Sequence, residues 1–226
     1  MGAALRFPRL LAAGTTLFCA AGTSLAQAQV VLTASSWVPP THALSEVQKD
    51  WCAQLEKKTA GKAKCNMLPR GVAAPPATFD AIRNGLADVS FTVHGYTPGR
   101  FVTTQIAEFP FLGDSAEAVL VAYQRTFAKT PAMVEEHKGV QVLTVFTHGP
   151  GAVFNTKRAV TKAEDLGGLK WRVGGGVVGE IGKALGMNVT LKPSTENYEL
   201  LSSGVLDGTL FPAASCSRPR CRVRWS

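Results

Sequence analysis

Leu169-Lys170-Trp171-Arg172-Val173 runs directly into Gly174-Gly175-Gly176 and then into Val177-Val178-Gly179-Glu180-Ile181-Gly182-Lys183-Ala184-Leu185. The first five residues suit a buried strand. Three glycines allow the backbone a sharp turn, and the segment after them reads as a helix stopped by Gly186. A strand, a turn and a helix in that order form the repeating unit of an α/β protein. The unit continues on both sides: strand 188–192, helix 196–202 and a strand from 205 to 211 follow, while strand 152–155 and a helical turn at 163–166 precede it.

Upstream, Thr147-His148-Gly149-Pro150-Gly151 places three turn formers in a row and marks a domain boundary. Before it lies a second β-α-β-α-β run. A β-branched strand at 30–34 leads into a loop at Trp37. A helix opening at Thr41 or His42 carries Leu44, Val47, Trp51 and Leu55 at helical spacing and ends at Thr59-Ala60-Gly61. Strand 64–68, helix 78–85 and a buried strand at 87–93 follow. The loop from His94 to Phe101 then sits at the C-terminal end of a strand, where open α/β sheets place ligands. Helices at 115–129 and 133–137 and a strand at 140–146 complete this half.

The chain has 226 residues, 46% hydrophobic and 18% charged, which excludes disorder as the main state. Its net charge of +8 is an end effect. Arg6 and Arg9 open the chain and Arg218, Arg220, Arg222 and Arg224 close it; without these six, 18 basic face 16 acidic residues. A nucleic-acid partner is therefore not expected. Residues 1–28 read as a secretory signal peptide, with a basic start, an apolar run and a small-residue cleavage site, so the expected location is the periplasm. In that oxidising compartment Cys52 and Cys65 are expected to pair, worth roughly 3 kcal/mol for a loop of about 14 residues. Residues 214–226, rich in Arg, Ser and Cys and free of acids, read as a basic tail of non-native, frameshift-like character.

Gly174-Gly175-Gly176-Val177-Val178-Gly179 satisfies G-x-G-x-x-G with Glu196 and Glu199 about twenty residues on, a dinucleotide pattern that an exported chain has little use for. An anion seat is the better reading. Arg172 closes the strand, and the free N–H groups of the glycine turn would converge with its planar fork on a carboxylate. The alternative is an arginine paired with Glu180 or Asp207. His42, His94, His137 and His148 share no metal-ligand spacing, no nucleophile elbow is present, and neither metal nor cofactor is expected. His137, in Glu135-Glu136-His137-Lys138, reads as part of a solvated face. His94 and His148 end predicted strands and either donate to a ligand or cap their loops. Trp37 and Tyr96 either stack on a ligand or plug the core.

Several separated runs carry a resemblance: Trp37-Val38-Pro39-Pro40-Thr41-His42, Gly85-Leu86-Ala87-Asp88, Gly95-Tyr96-Thr97-Pro98-Gly99-Arg100-Phe101, Leu169-Lys170-Trp171-Arg172-Val173-Gly174 and Gly204-Val205-Leu206-Asp207-Gly208. Together they resemble the substrate-binding proteins of TRAP transporters (tripartite ATP-independent periplasmic, C4-dicarboxylate type). The resemblance implies a periplasmic-binding-protein-like fold of two α/β lobes, 29–147 and 148–213, with the second incomplete. It also implies a non-enzymatic role in which Arg172 holds the carboxylate of a small organic acid that is passed to a membrane permease. Trp37, His94, Tyr96, His148 and Phe211 are the other expected ligand contacts. Gly151 and Phe211 stand where sialic-acid binders of the family place an arginine and an asparagine, so a smaller or more apolar acid is expected. Family members continue well past Asp207-Gly208, which leaves a truncated, binding-incompetent copy as the alternative.

Overall fold

The computed structural model describes residues 28–113 and 115–212. The expected signal peptide, apart from Ala28, and the expected basic tail lie outside the described residues.

Strand β1 (Val30–Ala34) pairs in parallel with β2 (Ala63–Met67), and helix α1 (Ala43–Lys58) crosses between them. His42 caps α1, its Nδ1 accepting the Leu44 N–H at 3.2 Å. A disulfide joins Cys52 on α1 to Cys65 on β2 and so fastens the helix to its sheet. The inward face of α1 differs from the apolar stripe expected. Val47 is 66% exposed, and Ser45, Gln48 and Cys52 are buried instead. Gln48 donates to the Ser35 carbonyl at 3.3 Å, and the Ser45 hydroxyl meets that of Ser36 at 2.8 Å. Helix α1 thus packs over the open end of a strand, where backbone groups need partners, and short polar side chains serve that purpose.

The expected strand at 87–93 is reduced to a single parallel bridge between Val89 and Ala34. Helix α2 (Thr78–Arg83) precedes it, and helices α3 (Ala116–Lys129) and α4 (Pro131–Glu135) follow. The strand expected at 140–146 does not form, since no strand of the described residues pairs with it. Its order comes from side chains. Val145 packs into a cluster with Tyr123, Phe127 and Met133, and the Gln124 side-chain Oε1 accepts the Val145 N–H at 2.9 Å.

The second sheet has the order β3 (Gly151–Asn155), β6 (Gly208–Pro212), β4 (Lys170–Val173), β5 (Asn188–Leu191), with β3 antiparallel to β6 and the rest parallel. Helix α5 (Gly176–Ala184) joins β4 to β5, and α6 (Asn197–Ser202) joins β5 to β6. Trp171 is fully buried among Leu166, Leu169 and Met187, and its indole N–H donates to the Leu166 carbonyl at 2.8 Å. Asp207 ties β6 to β4, accepting the Lys170 N–H at 2.8 Å through its carboxylate. This stitching aligns the ends of β4 and β6, from which Arg172 and Phe211 project.

Candidate functional site

Arg172 is the third residue of β4 and only 3% exposed. Its Nε–H donates to the Lys192 carbonyl at 2.7 Å, and Nη2 reaches the Tyr96 hydroxyl at 3.5 Å. The guanidinium carbon lies 5.9 Å from the centre of the Phe211 ring. Glu180 pairs with Lys183 and Asp207 with Lys157, so neither acid expected as an alternative partner is taken up by the arginine. Among the described residues no carboxylate forms an ion pair with Arg172. Burial pulls its pKa down, but a guanidinium stays charged at any physiological pH. A buried cation without an ion pair is costly.

Tyr96 reaches the arginine from the first half of the chain. It lies in a single 3₁₀ turn, His94–Tyr96, and its hydroxyl also accepts the Ser194 N–H at 2.9 Å. Trp37 stands 6.1 Å from the Tyr96 ring and 5.0 Å from Phe91, and its indole N–H donates to the Phe91 carbonyl at 2.8 Å. Room beside the guanidinium is kept by Gly174. A Cβ there would sit 3.3 Å from the Tyr96 ring and 3.8 Å from Arg172 Nη2. Four of the expected residues, Trp37, Tyr96, Arg172 and Phe211, therefore form one connected set. Phe91, Lys192 and Ser194 join it without having been anticipated. Phe91 alone carried a signal, an aromatic near the end of an apolar run that stops at the His94 loop.

Two expected contacts fall elsewhere. His94 faces the interior of the first half. Its ring stacks 4.3 Å from Phe101, and its Nε2 meets Nε2 of His137 at 3.0 Å. Burial and the neighbouring His137 push the His94 pKa down to about 4. His137 is itself 5% exposed, not part of a solvated face, because Phe79, Phe101 and Phe127 surround it. His148 is exposed, and its Nδ1 lies 2.7 Å from the Gly149 carbonyl in its own loop.

The glycine turn is the other departure. The Val177 N–H at the start of α5 donates to the Glu108 carboxylate at 3.0 Å, and Gly175 packs so tightly on Gly95 that a Cβ would lie 2.1 Å from the Gly95 carbonyl oxygen. The helix N-terminus that a dinucleotide pyrophosphate or a ligand carboxylate would use is thus filled by the protein's own acid. Of the expected anion seat, the guanidinium has no ion pair among the described residues, and the turn is occupied by Glu108. Among the described residues there is no group of three or more potential metal ligands, and no helix is long and apolar enough to cross a membrane.

Two α/β halves thus meet at a buried cation that has no ion pair among the described residues and is flanked by aromatic rings. The chain belongs to the bacterial extracellular solute-binding proteins of family 7, which it matches over residues 34–219. These are transport proteins rather than enzymes. A TRAP periplasmic solute-binding protein from Bordetella bronchiseptica, solved with (R)- and (S)-mandelate, is 45% identical with a TM-score of 0.80, the match covering 83% of this chain and 60% of that one. A marine metagenome TRAP protein described as specific for aromatic acids, solved with 3-hydroxybenzoate, is 30% identical with a TM-score of 0.79, covering 87% of this chain and 61% of that one. The curated relative named outer membrane transporter protein TsaT, from Comamonas testosteroni, is 28% identical over 203 residues, 90% of this chain and 60% of its own length. The chain therefore spans about 60% of the length of these three relatives.

Proposed function

We propose that this chain captures a small organic acid in the periplasm for a TRAP-type membrane permease. Arg172 grips the carboxylate, and the acid's body lies against Trp37, Tyr96 and Phe211. The observation that carries this reading is the guanidinium itself. It is buried and without an ion pair among the described residues, and its Nε–H is anchored to Lys192 so that the two Nη groups are aimed rather than free to swing. A carboxylate accepting two parallel N–H bonds supplies the missing charge and fits that fork. The aromatic wall favours a ring over the flexible polar backbone of a C4-dicarboxylate. The mandelate and 3-hydroxybenzoate of the two solved relatives, and the benzoate of a third from Rhodoferax ferrireducens that is 28% identical, support an aromatic acid.

The lobes we propose are 29–147 and 148–213, hinged about 147–151, and ligand contacts made from both favour the closed form. Benzoate or mandelate at about 100 times its dissociation constant is expected to stabilise the protein by about 2.7 kcal/mol, read as a thermal shift. Arg172→Lys is expected to lose at least about tenfold in affinity, since an ammonium cannot form the planar fork while also keeping the bond to Lys192. A full shift in the lysine variant would overturn the seat. The competing reading, a chain that retains the seat but does not bind, rests on the 60% share of its relatives that it spans; no response to any aromatic acid would decide for it.

A further inference from the structure

The site has two places suited to a negative charge, and one is already taken. Beyond Arg172 the chain turns through Gly174, Gly175 and Gly176 into α5, a nine-residue helix whose N-terminal N–H groups and dipole favour an anion. Gly174 borders both Arg172 and Tyr96, and two residues later Gly176 lies against Glu108, whose Oε2 is 2.2 Å from where a Cβ would be. Glu108 arrives from the first half of the chain, at the end of the 3₁₀ segment Thr104–Glu108, and accepts the Val177 N–H at 3.0 Å. Its carboxylate is half-buried, and Gly175 and Gly176 adopt φ of 99° and 63°, which leaves the room it needs. No lysine or arginine pairs with it among the described residues; burial raises its pKa, while the Val177 N–H and the nearby His148 oppose that rise.

We propose that Glu108 sets the charge class of the ligand, admitting acids with a single carboxylate and rejecting those with two. This rests on the Arg172 seat proposed above. With the first carboxylate on the guanidinium, a second acid group further along the ligand meets a helix N-terminus already occupied by the Glu108 carboxylate in place of free donors. A like charge in a half-buried site is a strong rejecting element, whereas a neutral substituent meets no such barrier.

Titration of the full chain with benzoate, terephthalate, isophthalate, phthalate and monomethyl terephthalate tests this. Benzoate and the methyl ester are expected to bind, and every diacid at least about tenfold more weakly than benzoate. Glu108→Gln keeps an oxygen to accept the Val177 N–H and removes the charge. In that variant the diacid-to-benzoate affinity ratio is expected to rise about tenfold for at least one diacid. A wild-type protein that takes a diacid as well as benzoate, or an unchanged ratio in the glutamine variant, overturns the role of Glu108 while benzoate binding that depends on Arg172 leaves the seat standing. The ester needs no variant: if it is rejected as strongly as terephthalate, the exclusion is steric and the proposal fails. Benzoate binding that does not depend on Arg172 brings down the seat and this inference together.

Discussion

His94 and His137 show how a single buried contact dictates the protonation of its neighbours. His137 Nδ1 lies 2.8 Å from the Met133 carbonyl, which can only accept, so that nitrogen carries the proton. In a neutral ring its Nε2 must then accept, His94 Nε2–H must donate to it, and His94 Nδ1 is left to take the Tyr123 hydroxyl at 3.4 Å. Burial pushes the Tyr123 pKa up to about 12, which keeps that hydroxyl a donor. The consequence for stability follows from His94, whose pKa is about 4 when folded against 6.5 ordinarily. Above pH 6.5 both states are neutral and the stability is complete. Below it the unfolded chain binds a proton that the folded one refuses, so stability falls as pH drops toward 4 and then levels off. The total is on the order of 3 kcal/mol, about 2 of it between pH 6.5 and 5, before most carboxylates titrate. Denaturant midpoints at pH 7 and 5 are expected to show this slope in the natural protein and to lose most of it in His94→Gln; equal slopes would mean that another group carries it.

At the scale of elements, β6 is held against β4 by a glycine chosen for closeness rather than for turning. A Cβ on Gly208 would stand 2.3 Å from the Trp171 ring and 2.7 Å from the Phe154 carbonyl oxygen, although its φ is not positive. Gly186, after α5, is the opposite case, with φ +72° and open space around it. Alanine at Gly186 is expected to cost about 1 kcal/mol of left-handed strain. At Gly208 it is expected to cost more, roughly 1–3 kcal/mol of overpacking plus whatever the β6 ladder loses. Equal melting shifts for the two variants would remove the account of Trp171 as the reason for Gly208. The same contrast separates what was readable in the sequence from what was not. Strand β4, the glycine turn and α5 are written in adjacent residues and were placed within a residue or two. The strand expected at 140–146 failed because a local run of residues says nothing of a partner strand. The solvated reading of His137 failed because its acidic and basic neighbours are local while Phe79 and Phe101 are not. The place of Arg172 at a strand end was legible, and the seat proposed for it grew from that, but Glu108 was not legible as the occupant of the α5 N-terminus, since its partner Val177 is 69 residues away.

Across the whole molecule, the two halves touch through a short list of polar contacts, and the acceptors sit on one side. Tyr96 accepts the Ser194 N–H and Glu108 accepts the Val177 N–H, at 2.9 and 3.0 Å. Both amides belong to the second half and both acceptors to the first, so opening about 147–151 would release the two protons together without disturbing either sheet. The Lys192 N–H, bonded to the Val173 carbonyl at 3.0 Å, lies wholly within the second half and serves as an internal standard. If the proposed hinge operates, amide exchange reads its opening, because a local opening exposes its own protons and leaves others protected. If a ligand binds only the closed form, benzoate at about 100 times its dissociation constant multiplies the closed population and slows Ser194 and Val177 by up to about 100-fold, with Lys192 lagging behind. Slowing of all three amides by the same factor would mean that the halves unfold together and do not hinge. If neither Ser194 nor Val177 slows while benzoate is bound, the acid is held by one half alone, and the contact between Tyr96 and Arg172 has no part in capture.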